Sequence, residues 1–159
     1  MKRLISVLAV LILGAIAVRP LLAQDSPFIG TWNLNAAKSS SGSMPAPKSL
    51  TRTITADGSG LKYSYDGVAA DGSKISYSFS SNFDGKASAI IGSGMPGGAD
   101  GITLKRISAN KIAGTMTKGG KEIGKSEAEV SKDGKVATVK SKGRSDGKEF
   151  STDSVFDKQ

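Results

Sequence analysis

Asp-Gly occurs seven times in this chain, at Asp57-Gly58, Asp66-Gly67, Asp71-Gly72, Asp84-Gly85, Asp100-Gly101, Asp133-Gly134 and Asp146-Gly147. Gly119-Gly120 adds one more pair of the same kind. Such pairs accept the positive φ that tight hairpin turns demand. Between them lie short runs that alternate. Leu61, Tyr63 and Tyr65 stand against Lys62, Ser64 and Asp66, and Ile75, Tyr77 and Phe79 against Ser76, Ser78 and Ser80. A period of two marks a strand with one buried face. No stretch after the N-terminal segment keeps a helical period, so a chain cut this often folds as antiparallel hairpins.

The turns and alternations predict about ten strands: 28–35, 50–56, 61–67, 73–81, 86–91, 101–107, 111–118, 121–131, 135–142 and 148–157. The fold class is therefore all-β. A long meander leaves two raw edges unless it closes on itself. The expected architecture is an up-and-down antiparallel β-barrel of about 8–10 strands. One connection is long, Lys38 to Ser49, and reads as an extended loop with at most one helical turn. An outer-membrane barrel needs a lipid-facing apolar band and aromatic girdles. Nine aromatic residues, and strands full of Ser, Lys and Thr, do not supply them.

The chain opens with Met1-Lys2-Arg3 and an apolar run from Leu4 to Val18. That run is 15 residues long, short for a membrane span but suited to a secretory signal. Cleavage is expected after Ala23, with Ala17 as the alternative site. The expected organisation is a signal peptide at 1–23 and one domain at 24–159, with a periplasmic or extracellular (secreted) location. An uncleaved N-terminal anchor is the rival reading.

Cysteine and histidine are both absent. Zinc–cysteine sites, thiol nucleophiles and imidazole bases are excluded with them. We therefore expect a non-enzyme with no metal and no cofactor. Net charge is +8, and it is uneven. From Lys105 to Lys148 there are twelve basic and five acidic residues but no Phe, Tyr or Trp. Single-stranded nucleic acid needs stacking platforms that this segment lacks. The surplus reads as solvated strand faces, in a monomer with no specific nucleic-acid partner and no membrane span after cleavage. The run Gly92-Ser93-Gly94-Met95-Pro96-Gly97-Gly98 precedes a strand rather than a helix. It therefore reads as an inter-strand loop, not a phosphate loop, with Met95 placed to cover a barrel mouth. Asp66 and Asp71 read as turn residues.

Alternation assigns Tyr63, Tyr65, Tyr77, Phe79, Leu104, Met116, Ser154 and Phe156 to the barrel interior. These are the candidate ligand-binding residues: an aromatic wall with a few hydroxyls suits a small, mostly apolar molecule. The alternative is that the same side chains simply fill a small barrel.

The stretch Phe28-Ile29-Gly30-Thr31-Trp32-Asn33-Leu34-Asn35 resembles the Gly-x-Trp opening strand of the lipocalin and fatty-acid-binding-protein (calycin) superfamily. Ala36-Ala37-Lys38-Ser39, Pro45 to Thr53, Ser131-Lys132-Asp133-Gly134-Lys135 and the closing Val155 to Gln159 are similar to secreted bacterial lipocalin-like proteins. The resemblance implies a barrel closed at one end by Trp32, with Gly30 letting a neighbouring backbone approach it. It also implies a carrier or sensor of a small apolar ligand. The alternative function is a ligand-free structural or interaction module acting through the basic half. Fatty-acid-binding proteins place Arg-x-Tyr on the last strand, to grip a carboxylate. This chain has Ser154-Val155-Phe156 there. Neutral ligands are therefore expected to bind better than long-chain acids, unless another cation such as Arg52 or Arg106 points inward.

Overall fold

The computed structural model describes residues 25–42 and 44–159. The expected signal peptide and both cleavage sites lie outside the described residues. Eleven strand segments follow in order: β1 (Gly30–Leu34), β2 (Ser49–Asp57), β3 (Gly60–Val68), β4 (Lys74–Ser81), β5 (Ala87–Ala89), β6 (Ile91–Ser93), β7 (Gly101–Ser108), β8 (Lys111–Lys118), β9 (Lys121–Val130), β10 (Val136–Ser145) and β11 (Lys148–Lys158). All pairs are antiparallel, in the order β5-β7-β8-β9-β10-β11-β1-β2-β3-β4-β6.

The two ends of that order are consecutive in the chain. β5 and β6 are separated only by Ile90, whose side chain is buried. The first half of this run pairs with β7 and the second half with β4. One bent strand thus bridges the seam and brings the sheet round into a nearly closed barrel. This answers the edge problem in part, because the same short run pairs with three residues of β4 and three of β7.

Five Asp-Gly pairs sit where the chain turns between strands: Asp57-Gly58, Asp71-Gly72, Asp84-Gly85, Asp133-Gly134 and Asp146-Gly147. Two do not. Asp100-Gly101 opens β7, with the Asp100 carboxylate accepting from the Gly119 amide at 2.7 Å. Asp66-Gly67 lies inside β3, which corrects the reading of Asp66 as a turn residue. A Cβ on Gly67 would stand 2.2 Å from the Ser49 carbonyl oxygen. That pair serves close strand approach rather than a turn. Asp71 does act in a turn, accepting from both the amide and the hydroxyl of Ser73.

The segment after β1 is more tied down than an extended loop. It begins with a 3-10 turn at Ala36–Lys38, and Ser40 then exchanges two backbone hydrogen bonds with Asp153 of β11. Among the described residues, 3-10 turns at Ala36–Lys38 and Pro96–Gly98 are the only helical elements.

The core runs through the barrel as one cluster that includes Phe28, Trp32, Ile54, Leu61, Ile112, Val130 and Phe156. Trp32 is completely buried, and its indole N–H donates to the Phe28 carbonyl at 2.9 Å. Gly30 has φ +138°, and the space a Cβ would take is filled by Lys158 Cε at 2.7 Å. The neighbour that Gly30 admits is thus a lysine side chain from the last strand, not a backbone.

Candidate functional site

The barrel encloses a cavity of about 490 Å³. Its aromatic wall is built by β3 and β4, whose register sets Tyr63 opposite Phe79 and Tyr65 opposite Tyr77. Alternation turns all four rings inward, and direct cross-strand placement stacks them. Tyr65 and Tyr77 lie 4.5 Å apart at 16°, and Tyr63 and Phe79 lie 4.8 Å apart at 17°. Hydroxyls of Ser126, Ser141, Thr152 and Ser154, on β9 to β11, form a more polar lining. Met44 and Met95, from two loops, also line the cavity, and both pack against the core.

Seven of the eight sequence candidates line this cavity: Tyr63, Tyr65, Tyr77, Phe79, Leu104, Ser154 and Phe156. Met116 does not. It stands opposite Ile102 and Gly124 in the sheet and is completely buried in the packed part of the barrel, off the cavity lining. Inward parity is shared by wall and filling alike, so alternation alone does not separate them.

The cation among the cavity-lining residues was not one of those candidates. Arg52 sits at the middle of the inward face of β2, between Leu50 and Ile54, and is only 2% exposed. It lines the cavity. Its guanidinium carbon lies 5.6 Å from the Tyr63 ring centroid, 5.7 Å from that of Tyr65 and 5.9 Å from that of Phe156. Nε and Nη1 have no acceptor among the described residues. None of the described residues lining the cavity is acidic. A guanidinium over an aromatic face gains about 0.5–2 kcal/mol. An uncompensated buried charge costs several kcal/mol after relaxation. The rings therefore offset only part of the cost. The premise behind a preference for neutral ligands was an interior without a cation, and Arg52 removes that premise. The sequence did carry a signal: in Leu50-Thr51-Arg52-Thr53-Ile54 the cation occupies the central apolar-parity position. Arg106, by contrast, is exposed and lies over Phe83.

The Tyr63 hydroxyl is likewise buried without a partner. Burial pushes its ionisation far above the ordinary tyrosine range, against a smaller opposing pull from Arg52. Burial also raises Tyr77 well above that range. Both phenols are thus held neutral. In the basic half, exposed cations meet the few acids across neighbouring strands, as in Lys111–Glu127, Lys140–Asp153 and Arg144–Glu149. Among the described residues no group of acidic side chains gathers that is suited to a metal ion. No helix among them is long and apolar enough to cross a membrane.

A nearly closed antiparallel barrel around an apolar cavity defines the lipocalin-like class of fold. Among solved structures, the chain is similar to the zebrafish ileal bile acid-binding protein, determined in complex with cholic acid. The TM-score is 0.52 over 84% of this chain and 100% of that one, at 13% sequence identity. At that identity the likeness is one of fold. No protein-family model matches the chain, and no curated protein matches it in sequence.

Proposed function

We propose that this protein is an exported carrier or sensor of a small, mostly apolar ligand, held inside the barrel. The observation that carries this reading is the interior cavity, whose size falls within the range of small-molecule sites. Burial of apolar surface against the tyrosine and phenylalanine wall supplies the affinity. Hydroxyls and Arg52 supply orientation. The barrel's likeness to a bile-acid-binding protein supports the same reading. A solid barrel acting only through its basic half would have no use for such a space. Export rests on the charged and apolar segments at Met1 to Ala23.

The test is native mass spectrometry of the protein purified from its own host, with intact mass read in the same experiment. A co-purified small molecule, on a chain shortened by the signal peptide, is the expected result. A ligand-free chain that also fails to take up any apolar fluorescent dye would overturn the carrier reading.

A further inference from the structure

We infer that Arg52 is the recognition group for an anionic head, so that the ligand is an apolar molecule ending in a carboxylate. This rests on the carrier reading and names the ligand class of the same cavity.

Arg52 occupies an interior position that leucine or isoleucine fills on either side of it, at Leu50 and Ile54. Guanidinium groups keep their charge in proteins, so burial does not neutralise it. Two of its nitrogens meet no acceptor, and no acid among the described residues lines the chamber it faces. The acids of the described ion pairs hold other cations, at the surface. Tyr63 adds a second buried donor without a partner, on the neighbouring strand. The Arg52 guanidinium carbon lies 5.6 Å from the centroid of the Tyr63 ring, and both residues line the cavity. A cation and a neutral phenol facing one apolar cavity form a polar pair that an oxyanion satisfies and a hydrocarbon or an alcohol does not.

The placement differs from that of an Arg-x-Tyr pair on the last strand. That strand has Ser154 and Phe156 at the corresponding positions. Here β2 and β3 provide both, and Phe156 of the last strand serves as one of the rings around the guanidinium. Strand register makes this workable: Arg52 stands opposite Trp32 on one side and Tyr65 on the other. It is therefore set within the sheet rather than at a mobile rim, and the aromatic wall beside it accepts the apolar body of the ligand.

The test compares lauric acid with lauryl alcohol, by displacement of an apolar fluorescent dye at neutral pH, in the full protein and in the Arg52→Met variant. The expected result is an acid that binds at least about tenfold tighter than the alcohol, and an Arg52→Met variant in which that advantage is lost while alcohol binding is kept. Methionine matches the volume and removes the buried charge, so the ligand-free variant is expected to melt no lower than the parent. Should Arg52→Met fail to fold, the acid-to-alcohol ratio in the parent and Arg52→Lys still decides. Equal binding of acid and alcohol in the parent overturns the anion site and leaves the carrier reading standing. Dye and both probes failing to bind overturns both. An acid preference that survives in Arg52→Met moves the recognition to another group and overturns this assignment.

Discussion

The ammonium of Lys158 lies over the ring of Trp32, 5.0 Å from its centroid, where the last strand pairs with the first. Lysine and tryptophan are register partners, so pairing of the last strand with the first and covering of the indole are one event. Trp32→Ala is expected to cost about 3–5 kcal/mol, read as a shift in the urea midpoint. Lys158→Ala removes the exposed cation and the stem packed at Gly30, and is expected to cost about 0.5–1 kcal/mol. A Trp32→Ala loss below about 1 kcal/mol would contradict this role for the indole.

Gly30 makes the Lys158 contact available. At φ +138° a side chain is strained, and a Cβ would displace Lys158 Cε. Gly30→Ala is expected to destabilise the barrel by about 1–3 kcal/mol and to red-shift Trp32 emission as the lysine is pushed aside. An unchanged melting curve and spectrum would show that this end tolerates a Cβ.

Gly124 and Gly143 face each other across β9 and β10, and Phe150 lies over both. A Cβ on Gly143 would come within 2.0 Å of the Ile123 carbonyl oxygen and 2.7 Å of the Phe150 ring. Gly143→Ala is expected to cost about 1–3 kcal/mol by overpacking, and Phe150→Ala about 3–5 kcal/mol by leaving a void beside two bare glycines. Thermal melts of the two variants check this. Equal, negligible shifts would refute it.

Tyr63 and Tyr77 ionise well above their ordinary range in the fold, because burial disfavours the phenolate. Unfolded tyrosine ionises at about pH 10. Above that pH the unfolded chain releases phenol protons that the folded chain retains, so stability falls as pH rises through that range. Below it both states are protonated, and these groups contribute no pH dependence. The expected result is a urea midpoint that drops between pH 9 and 11, with phenolate absorbance from these two residues emerging only on unfolding. A complete three-tyrosine titration near pH 10 in still-folded protein would refute it.

The turn pairs and alternating runs placed each strand to within a few residues, because a period of two and a positive-φ turn are local properties. The pattern predicts one strand at 86–91 and a loop from Gly92 on; the structure carries the run through Gly92 and Ser93 as β6. What local pattern did not show is that this run divides its pairing between β4 and β7. That division depends on where two distant strands arrive. Asp66-Gly67 shows the same limit, since its sequence is that of a turn and only the approach of β2 made it part of a strand.

What the sequence determined by itself was therefore parity: which apolar side chains face in, with Arg52 named only as an exception to it. The tertiary structure alone decided whether the inward residues leave a space. That is a sum of volumes over strands far apart in the chain, and by it Met116 becomes filling while Tyr63 becomes wall. It also decided that Arg52 meets three rings and no carboxylate. A buried charge is defined by what surrounds it, and those surroundings come from β3 and β11, which only closure of the barrel brings together.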